Sequence, residues 1–170
     1  MTHGVAVPSA MPSAVPVVEH ANERDIAAIS ALNNLFAPDG LTLPRSEAFV
    51  TAHLQDYQVI RDANGMVLGC VALDEYSPSL VELVSLAVAP SAQGRGLGRQ
   101  LIKAAETLAR ERGFPEIFAI SFADQLFLSM GFRESTIAQY PEKIARYVQI
   151  SRSELALGRK FCFTRTLTAD

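Results

Sequence analysis

Val88–Ile102 reads VAPSAQGRGLGRQLI: an apolar run stops at a proline, Gly94, Gly96 and Gly98 alternate with other residues, and a helix-like pattern begins. The segment upstream, LVELVSLAV over Leu80–Val88, consists largely of β-branched and aliphatic residues that favour a strand. The order is strand, glycine loop, helix. A helix that starts from glycines presents unpaired N–H groups and a partial positive charge, and the missing side chains let a ligand come close. An anionic group, most often a phosphate, suits such a loop, and a glycine turn without a ligand is the plainer alternative. Arg99 and Gln100 follow Gly98 where a P-loop needs Lys and then Ser or Thr. The spacing is GxGxG, about halfway along the chain, and not the GxGxxG that opens a dinucleotide-binding βαβ unit.

The chain has 170 residues, 49% of them hydrophobic, which supports one well-packed domain. Residues 1–14 read as a flexible Pro/Ala/Ser-rich tail and 15–168 as the single domain. Fifteen basic against 18 acidic residues leave no electrostatic footprint for nucleic acid. The absence of a long apolar run predicts no membrane span and makes a cytoplasmic protein the expectation. Cys70 and Cys162 stand in apolar strand-like surroundings, without CxxC or paired histidines, so reduced buried thiols and no metal are expected.

Outward from the glycines, Val15–Glu19 reads as a short strand, and Asn22 as the cap of a helix with Ile26, Ile29, Leu32, Leu35 and Phe36 inward. Ser46 caps a second short helix through Phe49 and Leu54. Tyr57–Arg61 and Val67–Leu73 flank Asn64-Gly65, a hairpin signal. In the helix after the glycines, Leu101, Ala104, Ala105 and Leu108 should face inward and Arg99, Lys103, Glu106 and Arg110 outward, with Gly113 at its end. Glu116–Ser121 reads as a strand buried on both faces, Asp124–Met130 as a short helix stopped by Gly131, and Phe161–Leu167 as a last strand. The fold class is α/β, a mixed central sheet with an antiparallel N-terminal half, flanked by helices.

Gln93-x-x-Gly96-x-Gly98, with LAV-x-P before it and a helix after it, resembles the Q/R-x-x-G-x-G/A acetyl-coenzyme A motif of the GNAT N-acetyltransferases. IFAIS, the short helix and Met130-Gly131-Phe132 look like the next elements of that fold, so the resemblance covers about residues 15–135. It implies acetyl-coenzyme A as cosubstrate, its pyrophosphate on the N–H groups of Gly94 to Arg99. The contacts implied are Leu86, Ala87 and Val88 on the strand, Gln93, Gly94, Arg95, Gly96, Gly98 and Arg99 in the loop, and Phe127. A closer likeness is to the acetyltransferase domain of N-acetylglutamate synthases, carried by Arg45-Ser46, Gly69-Cys70, Glu82 and Phe127, with spacing that agrees without gaps from Arg45 through Glu82. That likeness implies an amino-acid acceptor, favouring L-glutamate, and a place in arginine biosynthesis. The C-terminal end departs from it: a basic QRxSK segment is replaced by ALGRKFCF, where Arg159 and Lys160 are the candidates to meet the substrate.

Alternation along LVELVSLAV puts Glu82 on one face with Val84, Leu86 and Val88, a carboxylate in an apolar row. It is either a strand-end Glu that reaches a salt bridge or a general base whose apolar surroundings raise its pKa. Amine acylation needs a base, because an α-ammonium with a pKa of about 7.7 to 8.0 has no lone pair to offer when protonated. The resemblance favours the base. Phe127 stands where many relatives have a tyrosine acid and supplies no proton, so Ser121 is assigned that role. Arg45, before the second helix, suits a bidentate grip on a carboxylate. Lys143, Arg146, Arg152, Arg159 and Lys160 make the C-terminal part basic, serving an acidic substrate or only solubility. No histidine is placed to activate Cys70, so direct transfer is expected. The expected partner is a small-molecule amine or amino acid, with no nucleic acid, no membrane, and a homodimer left open. Another small-amine acceptor or a non-catalytic acyl-coenzyme A sensor are the rival readings.

Overall fold

The structure, a computed structural model, describes residues 16–149 and 161–167; the expected tail 1–14 and Arg152, Arg159 and Lys160 lie outside the described residues. Seven strands form one sheet in the order β1-β2-β3-β4-β5-β7-β6. β1 (Val18–His20), β2 (Tyr57–Arg61), β3 (Val67–Ser77) and β4 (Leu80–Val88) are antiparallel neighbours, as expected of the N-terminal half. β5 (Glu116–Ser121) lies parallel to β4, and β7 (Phe161–Thr166) runs antiparallel to both β5 and β6 (Arg133–Ser135). Among the described residues, five α-helices flank the sheet: α1 (Ile26–Leu35), α2 (Glu47–Ala52), α3 (Leu97–Glu111), α4 (Asp124–Ser129) and α5 (Pro141–Gln149).

Local chemistry sets the element starts. Asn22 accepts from Arg24 N–H, and Asp25 accepts from Asn22 N–H at 2.8 Å, a capping box on the 3-10 turn that leads into α1. Ser46 Oγ accepts from Phe49 N–H at 3.1 Å and starts α2. Asp62 Oδ1 accepts from Asn64 and Met66 N–H, while Gly65 takes the left-handed φ of +82° that closes the β2–β3 turn.

Among the described residues the core falls into three clusters, one under α3, one under α1 and α2 on the opposite face of the sheet, and a smaller one of Leu80, Phe118 and Tyr140. α3 packs Leu101, Ile102, Ala105, Leu108 and Ala109 on Ile60, Val71, Leu73, Val81, Leu83, Ile117 and Phe163. Each large aliphatic side chain in that layer stabilises by about 1.5–3 kcal/mol. Under α1 and α2, Ile29, Leu32 and Val50 meet Tyr57, Val59, Cys70, Ala72 and Ala87.

Three expectations need correction. Leu35 is 53% exposed, because α1 turns Ser30 and Asn33 inward instead. Their side chains, with Asn34, bind the carbonyls of Leu43 and Arg45, while Arg45 N–H donates to Asn34 Oδ1 at 2.8 Å. Glu106 is buried, at 3% exposure, because β7 brings Arg165 Nη1 to 3.2 Å from its carboxylate. The simple alternation of β4 also fails. Ala72 faces Val84 but Cys70 faces Ala87, so Ser85 and Leu86 together oppose one residue, and Ser85 takes φ +54°. After this bulge Leu86 and Val88 pack with the α3 core, on the face opposite Glu82, and Val84 and Ala87 pack under α1. β6 and α5, in the stretch with no clear sequence pattern, are further elements of the fold.

Gly69 on β3 marks how closely α3 approaches the sheet: a Cβ there would meet Leu101 Cδ1 at 2.9 Å and the Ala87 carbonyl at 3.2 Å. Gly69→Ala should therefore lower stability by about 1–3 kcal/mol through overpacking, measured as a reduced urea midpoint at unchanged slope. A midpoint equal to the parent's would mean that α3 can shift freely over β3.

Candidate active site

β4 and β5 pair only where Val81, Glu82 and Leu83 face Ile117, Phe118 and Ala119. Both strands then continue with their other neighbours, β4 with β3 up to Val88 and β5 with β7 up to Ser121. The bulge adds twist to β4 while β7 keeps β5 in register, so the strands part into a wedge. A cavity of about 630 Å³ fills it. Val84, Ser85, Leu86, Ala87 and Val88 line one wall, Ile120, Ser121, Phe122 and Ala123 the other, and Phe127 the floor. Past Leu83 the polar backbone of β4 has no β5 partner, which offers an extended, amide-bearing ligand a strand edge.

The wedge ends on the glycine loop, where Gln93, Gly94, Gly96, Gly98 and Arg99 line the cavity. Gly94 and Gly96 adopt φ +79° and +78°, and a Cβ on either would meet no protein atom within 4 Å. Among the described residues no amide from Gly94 to Arg99 donates to a backbone acceptor; the first to do so is Gln100, to Gly96 O at 3.2 Å. These donors at the start of α3 fit a pyrophosphate. Gln93 Nε2 donates to Val88 O at 3.1 Å and closes the loop onto the strand, and Arg99 is held by Ser129 Oγ at 2.8 Å. Of the loop residues expected at the site, Arg95 turns back to Ser91 O and does not line the cavity.

Phe127 is fully buried, stacked on Phe163 with ring centroids 5.6 Å apart and edge-on to Phe132. Ser121 lines the cavity, and its Oγ accepts from Ala123 N–H at 3.0 Å, leaving its own O–H to donate.

Glu82 is 3% exposed and lies just beyond the cavity wall. Its surroundings are not the apolar row expected from alternation. Lys143 Nζ, from α5, lies 3.0 and 2.9 Å from its two carboxylate oxygens, and Tyr76 donates its hydroxyl proton to Oε2 at 2.7 Å. Next to this pair Arg146 stacks on the Tyr76 ring at 3.9 Å and pairs with Asp74. Burial pushes the Tyr76 hydroxyl well above its ordinary range, and the Glu82 charge adds to that, so Tyr76 is held as a hydrogen-bond donor. The basic C-terminal part is thus, for Lys143 and Arg146, a set of partners for acids on β3 and β4.

Arg45 does not line the cavity; its guanidinium lies over the Phe49 ring at 4.3 Å. Burial raises the Tyr57 hydroxyl above its usual range, and the charge of Arg45 counts among the influences that oppose the rise. Tyr57 Oη is 3.4 Å from Ser85 Oγ, and Ser85 does line the cavity. The Arg45 charge is thus felt at Tyr57, which touches the bulged end of the wedge at Ser85. Cys70 is fully buried with its thiol pushed up to about 12 by desolvation, which suits packing and not nucleophilic attack. No cluster of His, Cys, Asp or Glu suited to a metal occurs among the described residues, and none of their helices is long and apolar enough to cross a membrane.

Sequence reasoning names Lys143 only as part of a basic stretch, without its pairing to Glu82, and misses Tyr76, Tyr57 and Ser85. Pro141 followed by Glu142 signals the start of α5, but a partner 61 positions away leaves no local trace.

Gly96→Val tests the loop. The substitution meets no protein atom, so beyond a backbone strain of about 1–3 kcal/mol its effect falls on whatever approaches the loop. Calorimetry should show acetyl-coenzyme A binding weakened about tenfold or more in a variant that still unfolds cooperatively. Unchanged affinity in a folded variant would take the loop out of the site.

The Acetyltransferase (GNAT) family model matches residues 26–132. An uncharacterised N-acetyltransferase of Chlorobaculum tepidum is 35% identical over 136 residues, 80% of this chain and 87% of the relative. An amino-acid acetyltransferase of Ralstonia nicotianae is 29% identical over 148 residues, 84% of this chain but only 33% of that protein. The crystal structure of N-acetylglutamate synthase from Neisseria gonorrhoeae, complexed with coenzyme A and N-acetyl-glutamate, superimposes with a TM-score of 0.79 at 25% identity, over 93% of this chain and 36% of that one. The wedge, the glycine loop and these likenesses agree: the chain belongs to the GNAT family of N-acetyltransferases, whose cosubstrate is acetyl-coenzyme A.

Proposed function

We propose that this N-acetyltransferase acetylates the α-amine of an amino acid, with L-glutamate as the favoured acceptor. The observation that carries the reading is the parting of β4 from β5, which opens a cavity between the glycine loop and the bulge at Ser85, with Glu82 beside it. The amino-acid acetyltransferase relatives support an amino-acid acceptor, and a cytoplasmic role in arginine biosynthesis would follow from glutamate.

In this reading the loop amides from Gly94 to Arg99 hold the pyrophosphate, and the free edge of Leu86, Ala87 and Val88 aligns the extended arm that carries the acetyl group. Glu82, next in the strand to the cavity-lining Leu83 and Val84, takes a proton from the acceptor's ammonium. The amine lone pair then forms the N–C bond as the C–S bond breaks, and the Ser121 hydroxyl returns a proton to the leaving sulfur. Cys70, buried and protonated, takes no part. Arg45, carried on a backbone pinned to α1, turns toward the acceptor's carboxylate near Ser85 and Tyr57.

Thiol release from acetyl-coenzyme A over a panel of amino acids and simple amines tests the function directly, and release no faster than hydrolysis across the panel would favour a cofactor-binding sensor. Glu82→Gln should keep acetyl-coenzyme A affinity and lower turnover by about 10²- to 10⁴-fold, with a smaller loss at high pH where free amine is abundant. Parental turnover at neutral pH would make Glu82 structural. Arg45→Ala should lower kcat/KM for the amino acid by about 10- to 150-fold, the weight of one charge-assisted hydrogen bond, and leave acetyl-coenzyme A affinity unchanged. An equal loss for the decarboxylated amine would rule out the carboxylate grip.

A further inference from the structure

The buried pair of Glu82 and Lys143 poses a chemical problem for any role of Glu82 as a base. A carboxylate held through both oxygens by an ammonium, and hydrogen-bonded by Tyr76, already carries its counter-cation and has most of its acceptor sites filled before a second amine arrives. A carboxylate this deeply buried also cannot be left without a cation, because breaking such a pair exposes the full desolvation penalty. One exchange meets both conditions: a second primary ammonium replaces the first. Building on the reading of Glu82 above, we propose that Lys143 is an internal stand-in for the acceptor's ammonium, seated on Glu82 in the free protein and displaced from it when the acceptor binds.

The setting supports an exchange of this kind. The Lys143 side chain carries the same primary ammonium as an α-amine, so the replacement conserves charge and donor number at the carboxylate. α5, which carries it, leaves Pro141, Glu142, Ile144 and Ala145 exposed, with Ile144 at 41%. A helix anchored by polar pairs over β3 and β4, with an exposed outer face, can release the Lys143 side chain while Tyr140, just ahead of it, keeps its stack on Phe118. Charges around the pair remain in place during the exchange: Asp74 and Tyr76 on β3, Arg146 on α5, Glu116 on β5 and Cys162 on β7. Arg146 keeps its own partner, Asp74, and its stack on Tyr76, so α5 stays tethered when Lys143 moves. Recognition at this point is for a primary ammonium, and the bulk of the Glu82–Lys143 contact sets how tightly an acceptor must bind to gain the carboxylate.

Steady-state kinetics on Lys143→Met and Lys143→Arg tests the proposal, with L-glutamate as acceptor or, if the parent does not turn glutamate over, the best amine of the panel. Methionine fills the lysine's space without competing for Glu82, so KM for the acceptor should fall about threefold or more, with KM for acetyl-coenzyme A unchanged. Arginine holds a carboxylate bidentately and is harder to displace, so KM for the acceptor should rise about threefold or more, with KM for acetyl-coenzyme A unchanged. If the methionine variant does not fold, the arginine variant decides alone. A raised acceptor KM or lost turnover in a folded methionine variant, or an arginine variant that matches the parent, would overturn the proposal and make Lys143 a supporting partner of Glu82. Failure of Glu82→Gln to lower turnover would instead overturn the base assignment, whatever the Lys143 variants do.

Discussion

Everything the site needs follows from how little of β4 is paired to β5. Three residues of parallel ladder join the two halves of the sheet, and the rest of each strand is claimed by its antiparallel neighbour on the other side. A longer ladder would close the wedge and leave the glycine loop facing filled space. A shorter one would separate the α3 core, which crosses the junction with Leu83, Ile117 and Leu101 in contact with one cluster. The bulge at Ser85 enforces the limit. It costs a left-handed backbone at a non-glycine residue, of order 1–3 kcal/mol, and such a cost persists only where the surrounding structure holds it.

The strand, glycine loop and helix were legible because each is encoded within a few residues: β-branched letters, alternating glycines, and an amphipathic repeat from Leu97. Asn22, Ser46 and Asn64-Gly65 were legible for the same reason, since caps and turns are chemistry between near neighbours. The failures share a different cause. The facing of Leu86 and Val88 depends on an extra residue in β4 that no pattern of letters announces. The burial of Glu106 depends on Arg165, and that of Glu82 on Lys143, each about sixty positions away. Leu35 was misplaced because Ser30 and Asn33, polar residues, take the inner face of α1 to bind a loop.

Those buried polar contacts show what the fold does where apolar packing stops. Asp25 is held by Arg61 and, despite burial, stays below the ordinary carboxylate range; Glu106 is held by Arg165 and Arg110, and burial still raises it. Both lie away from the wedge, joining chain segments that the sheet alone leaves apart: the α1 entrance to β2, and α3 to β7. Glu82 and Lys143 join β4 to α5 by the same means, but beside a strand stretch that lines the cavity. An ionic link is suited to that position, because a ligand of matching charge can replace one partner, whereas an apolar contact offers nothing to exchange.

The two ends of the wedge are built from different materials. At the loop end the lining is glycines and unpaired backbone amides, which a change of side chain elsewhere does not alter. At the bulged end side chains on separate elements meet, Ser85 of β4 in the lining with Tyr57 of β2 behind it, and Arg45 before α2 sets the charge nearby. The backbone of Arg45 is fixed by Ser30 and Asn34, and its guanidinium rests on Phe49 in a half-buried cation–π contact worth about 0.5–1 kcal/mol. Turning the side chain elsewhere costs no more than that contact, whereas moving the backbone would break three hydrogen bonds to α1, so a rigid base and an adaptable charge meet in one residue.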